Sequence, residues 1–207
     1  MKKIVLVFLY ILIGAFAYGQ TAPKMLNEIE GKWKLDDKGN ITFVRIVEAP
    51  GLKKEEIFNR SVNYFSYNSF SRRSEITTQD KENGIFVCRG LYENISGSAY
   101  TSSYIDAWHI LRVDAKDGKA RILITLTGYE KKDSGYTRLE AQNYPGIFPY
   151  KTVKIAEEYP VNLDGNNKSV MAKAFYNSIQ QANNTLDAVE MAIKEGNTYK
   201  SIENSNW

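Results

Sequence analysis

The 207-residue sequence has one cysteine, one histidine and five prolines, and its 27 basic and 24 acidic side chains nearly cancel. A single Cys excludes an internal disulfide framework and a multi-cysteine zinc site, and a single His excludes a multi-histidine metal centre. A formal charge of +3 gives no electrostatic case for nucleic acid, whose affinity rests on neutralising phosphates. No glycine-rich phosphate loop follows any predicted strand, so no nucleotide cofactor is called for. Asp164-Gly165-Asn166-Asn167, and Asp114 with Asp117-Gly118, lack the carboxylate number and final Glu of a calcium loop, and turn chemistry accounts for both. The expectation is no metal and no cofactor. What remains is 43% apolar and 13% aromatic, enough for the core of one globular domain.

The first residues are the most specific feature. Lys2 and Lys3 precede fourteen uncharged, nearly all apolar residues from Ile4 to Ala17, and Ala17-Tyr18-Gly19 sets small residues before Gln20. That is the order of a secretory signal peptide. The apolar run reaches about 21 Å as a helix, short of a ~30 Å hydrocarbon core. We expect residues 1–19 to be removed on export, leaving Gln20 first, in the periplasm or the medium, with no stable membrane anchor. Lipidation at that point needs a Cys, and the one thiol, Cys88, reads as a small buried hydrophobe. Cleavage leaves 207 − 19 = 188 residues and, without Lys2 and Lys3, 25 basic against 24 acidic groups.

Beyond a short polar leader at 20–30, the spacing predicts one domain over 31–195 and a polar tail at 196–207. Lys32 to Leu35 alternates polar and apolar, Asp36 to Gly39 is a turn, and Ile41 to Val47 is β-branched, which together read as a hairpin. From Lys53 the period becomes helical, with Ile57, Phe58, Val62 and Phe65 on one stripe to about Tyr67. Short strands follow at 75–78 and 85–92, then a Gly/Ser-rich loop at 94–102. Two long strands at 104–114 and 119–129 are joined through Asp117-Gly118, a hairpin signal. Residues 131–167 show no clear helix, with an edge strand expected near 151–155. A long helix at about 169–195 carries Met171, Phe175, Ile179, Ala182, Leu186, Val189 and Ile193 on one stripe, with Gly196 placed to end it. Ile122, Ile124, Leu126, Phe58, Phe65, Phe175 and Leu186 are the expected core.

This order, with the blocks Asp37-Lys38-Gly39-Asn40-Ile41-Thr42-Phe43-Val44 and Val47-Glu48-Ala49-Pro50-Gly51, resembles the bacterial domain of unknown function family 4468. Lys53-Lys54-Glu55-Glu56-Ile57-Phe58-Asn59-Arg60, Asn63-Tyr64-Phe65 and Lys116-Asp117-Gly118-Lys119-Ala120-Arg121 carry the resemblance on, over roughly 36–130. Tyr64-Phe65 stands where the family pattern has a Trp. The resemblance implies an α+β, TBP-like antiparallel sheet of five or six strands with two helices on one face, and export from the cell. It implies no catalytic residues.

On strict alternation His109 shares the dry face with Ile105, Ala107, Leu111 and Val113, which makes it a packed histidine rather than a general base. The wet face collects Asp106, Trp108, Arg112, Arg121, Thr125, Thr127 and Tyr129. Trp108, Arg112, Arg121 and Tyr129 form the candidate recognition surface, because aromatic and Arg side chains dominate binding hot spots. The function expected is an exported, non-catalytic module that binds an envelope protein or a small ligand. A hydrolase working with carboxylates alone is the alternative; it needs two of Glu75, Glu93, Asp106 and Glu130 facing each other across a cleft. Gly31-Lys32-Trp33 opens a lipocalin-like reading, a small-molecule carrier, which a helix directly after the second strand disfavours.

Overall fold

The β-branched run Ile41–Glu48 forms strand β1, and four more strands follow: β2 (Glu75–Asp80), β3 (Ile85–Ser98), β4 (Ser103–Lys116) and β5 (Lys119–Asp133). The computed structural model describes residues 21–68, 73–98, 103–133, 150–153 and 168–196; the signal sequence expected at 1–19 and the tail after Gly196 lie outside them. The strands build one antiparallel sheet in the order β1-β5-β4-β3-β2. A sixth strand, β6 (Tyr150–Val153), pairs with β5 at 129–132, on the edge where β1 takes 119–126. Among the described residues the sheet ends at β1 and β2, which do not pair with each other, so these strands form an open sheet and not the closed barrel of a lipocalin-like carrier. The rest of 131–167 beyond β5 and β6 lies outside the described residues.

Among the described residues three helices accompany it: α1 (Ala22–Ile29), α2 (Lys54–Tyr67) and α3 (Lys168–Glu195). Helices α2 and α3 cover one face, where Phe58, Phe65, Phe175 and Leu186 meet Ile122, Ile124 and Leu126, all buried as expected. The fold is the α+β architecture the resemblance implied. Arg60 of α2 donates to the Ile193 and Lys194 carbonyls at 2.6 and 3.1 Å, satisfying the open C-terminus of α3 with a cation at its negative end. Gly196, with φ of +79°, ends that helix as its sequence position predicts.

The polar leader expected at 20–30 contains α1, whose Ala22 and Ile29 are buried in the core cluster with Leu26 packed against it. The hairpin expected before β1 reduces to a single bridge, Leu35 to Ile41. Trp33 instead packs edge-on against Phe175 of α3, with ring centroids 5.4 Å apart. The turn itself is tight, since Asp36 Oδ1 accepts the Lys38 and Asn40 N–H groups at 2.9 and 2.8 Å.

The loop expected at 94–102 is instead strand as far as Ser98, carried past an irregularity. Tyr92 pairs with Ala107 and Ser96 with Ile105, so Glu93, Asn94 and Ile95 stand against Asp106 alone. Asp106 Oδ1 accepts the Asn94 N–H at 2.8 Å. A second bulge places Thr127 of β5 outside the pairing, because Trp108 partners Gly128 while His109 partners Leu126. One extra residue turns every later side chain of β5 to the other face.

Candidate recognition surface

The face of the sheet turned away from the described helices is set by alternation. Its rows run across the strands: Ile46, Arg121, Asp114 and Ile85; then Val44, Leu123, Arg112 and Val87; then Thr42, Thr125, Ile110 and Arg89. Val44 and Ile46 are 58% and 57% exposed and Ile110 is 37% exposed. Val44 and Ile46 lie side by side on the edge strand β1 and are exposed on the face away from the described helices, an apolar patch of the kind that marks an interaction surface.

Arg112 and Arg121 are brought together here, as the sequence places them. Arg112 Nε donates to Asp114 Oδ1 at 2.7 Å, and Arg121 Nε to Asp114 Oδ2 at 2.8 Å. Partial burial works to raise the Asp114 carboxyl, but the two guanidiniums outweigh it and hold the group below its ordinary value. Around the β4–β5 hairpin a cavity of about 360 Å³ is lined by Ile46, Asp114, Lys116, Lys119, Ala120 and Arg121. Three cations face one carboxylate there, a net of 3 − 1 = +2 beside aliphatic surface.

The two aromatic members of the expected surface are both buried. Tyr129 is 1% exposed and sits in the core cluster, because the Thr127 bulge reverses the alternation that strict spacing assumes. Trp108 does point to the open side but is 5% exposed. The Arg89 and Arg73 guanidinium carbons lie 3.8 and 4.9 Å from its ring centroid, an arrangement of cations over an aromatic face. Arg73 also makes a two-pronged bond to Glu130, at 2.7 and 2.8 Å. Sequence spacing could not find Arg73, which comes from the chain before β2.

His109 is fully buried on the helix side, stacked on Tyr92 with centroids 3.9 Å apart. Burial pushes its pKa down to about 3, so it stays neutral near pH 7. Burial pushes the Cys88 thiol up to about 12, the state of an inert core cysteine. Among the four carboxylates considered for hydrolysis, Asp106 and Glu130 are cross-strand partners. Asp106 is committed to Asn94 and Glu130 to Arg73. A second cavity, between the β3 bulge and α3, has Glu93 as its one lining carboxylate. Neither cavity therefore presents the two carboxylates ~5–10 Å apart that glycoside hydrolysis uses.

Residues 43–130 match the family described as domain of unknown function (DUF4468) with TBP-like fold. A crystal structure of a DUF4468 family protein from Bacteroides ovatus superposes with a TM-score of 0.56 at 15% identity, over 79% of this chain and 91% of that one. A TBP-like protein from Parabacteroides distasonis superposes with a TM-score of 0.50 at 16% identity, over 76% of this chain and 96% of that one. At these identities the likeness is one of fold. No curated protein sequence matches the chain significantly.

Proposed function

We propose that this chain, which carries the DUF4468 domain with TBP-like fold at residues 43–130, is an exported, non-catalytic interaction module of the bacterial envelope. Its working surface is the open sheet face. The observation that carries this reading is the exposed Val44–Ile46 pair beside a cavity with three cations and one carboxylate. Such a surface suits a partner protein that presents aliphatic side chains next to a carboxylate. Arg112 and Arg121 serve as its polar rim, and Trp108 supports it from beneath Arg89.

Export is supported by the charged, apolar and small-residue order of residues 1–19. Among the described residues no helix is long and apolar enough to cross a membrane. N-terminal sequencing of the mature protein should read from Gln20, and retention of Met1 in the cytosol would refute export.

The binding test is affinity capture from envelope extract by the mature protein, with Val44→Asp and Arg121→Glu as variants. Met191→Asp, on the exposed side of α3, is the control. A specific protein retained by wild type and control and lost by both sheet-face variants is expected. Identical capture by all four proteins would remove the open face from the function.

A further inference from the structure

We propose that the cleft between the β3 bulge and α3 is a binding site for a neutral polyhydroxylated ligand, one or two sugar rings in size. It lies on the helix side of the molecule, apart from the open sheet face, and stands independently of the role proposed for that face.

The cleft exists because three residues of β3 oppose one of β4. The extra length lifts Glu93, Asn94 and Ile95 off the regular ladder, and a cavity of about 390 Å³ opens between them and α3. That volume falls within the range of small-molecule sites, roughly 300–1,000 Å³. Irregularities of this kind recur beside functional sites, where they re-aim side chains.

Its walls are fixed. Among the described residues Asn94 is the one non-glycine residue with positive φ, at +54°, a left-handed conformation that Asn adopts more readily than most L-residues. The buried Asp106 carboxylate holds it in place by accepting the Asn94 N–H at 2.8 Å. From the opposite wall, Asn177 Nδ2 donates to the Ile95 carbonyl at 2.6 Å, tying the bulge to α3. A site held in this way loses little freedom when a ligand arrives.

The lining chemistry selects the ligand. Four carboxamides, on Asn94, Asn177, Gln180 and Gln181, share the cavity with the carboxylate of Glu93, and among the described residues no Lys or Arg lines it. Positions 177, 180 and 181 fall on one helix face. A carboxamide presents donor and acceptor side by side, and a hydroxyl is likewise both. An anion would meet no cation among the described lining residues, and a metal ion would meet a single carboxylate there. Leu91, Tyr92 and Ile95, themselves buried, back the cavity with apolar side chains.

The test is an NMR titration of the 15N-labelled mature protein with maltose, cellobiose, lactose and N,N′-diacetylchitobiose, each to tens of millimolar, with inorganic phosphate as comparison. At least one sugar should give saturable shifts centred on the Asn94, Asn177, Gln180 and Gln181 carboxamide signals. Two variants then probe opposite walls. Gln181→Ala removes an exposed side chain, and Asn94→Gly removes a carboxamide while leaving a residue that accepts positive φ. Each should weaken the same sugar by roughly tenfold, the scale of one lost hydrogen bond. No saturable shift with any of the four sugars, shifts unchanged by both variants, or a tighter response to phosphate at this cleft would overturn the proposal.

Discussion

Gly90 of β3 stands directly across from His109 of β4, and a Cβ added at Gly90 would lie 2.4 Å from the His109 Cε1 and Nε2 atoms. The imidazole occupies the space that a side chain on the facing strand would fill, and Tyr92 stacks on the same ring. Gly90→Ala is therefore expected to destabilise the fold by about 1–3 kcal/mol, the range for overpacking a close-packed core. Urea unfolding of Gly90→Ala, His109→Ala and the double variant checks it. The double variant should be more stable than the two single losses added together predict, because the clash disappears with the ring. Strict additivity would show that the two positions do not compete for space.

The same histidine gives stability a pH dependence of defined sign. Its folded pKa is lowered to about 3, against ~6.5 for an unfolded histidine. Between these values the unfolded chain binds the proton and the folded one does not, so stability is full above ~6.5 and falls by about 1.4 kcal/mol per pH unit below it. Other groups titrate in this window, so the difference between wild type and His109→Leu is the quantity to measure, by unfolding at several pH values. The variant should lose less stability between neutrality and pH ~4 than the wild type does. Parallel curves would contradict the neutral, buried state of the ring.

Asp117 joins two distant parts of the chain. Its Oδ1 accepts the N–H of Lys54 at 2.8 Å, at the start of α2, while the Gly118 N–H donates to the Leu52 carbonyl at 2.9 Å. No side chain of α2 itself caps that end, so the β4–β5 turn supplies the cap. Asp117→Ala should cost about 1 kcal/mol, typical of a lost N-cap, and Asp117→Asn should recover most of it. Thermal unfolding of the two variants decides this, and equal loss in both would assign the effect to charge rather than to the acceptor.

Most of the architecture is legible in the sequence because it follows from periodicity. The stripe from Met171 to Ile193 and the alternation of Ile122, Ile124 and Leu126 point to their faces unaided. The helix at 22–29 is missed by the expectation of a polar leader at 20–30, although Ala22, Met25, Leu26 and Ile29 repeat at three- and four-residue intervals. A polar composition conceals that spacing. The bulges are different. The signal beside Thr127 is Gly128, an isolated glycine in a strand pattern; strict alternation passes over it, yet that one unpaired residue carries Tyr129 into the core. The cover over Trp108 is equally hidden, because Arg73 and Arg89 reach it from separate strands and loops. Arg112 and Arg121 keep the face that alternation gives them because neither lies beyond a bulge on its strand. Asn177, Gln180 and Gln181 became visible as a group only when α3 met the irregular part of β3.

The most direct test of the open face is photo-crosslinking in cells that make the full chain. A photoreactive amino acid replaces Val44, Ile46 or Ile110 on the sheet face, or Met191 on α3 as an equally exposed apolar control. The account predicts one discrete protein adduct from the three sheet positions, absent from Met191 and abolished when Arg121→Glu is combined with the Val44 probe. No adduct from any sheet position, or the same adduct from Met191, would contradict it.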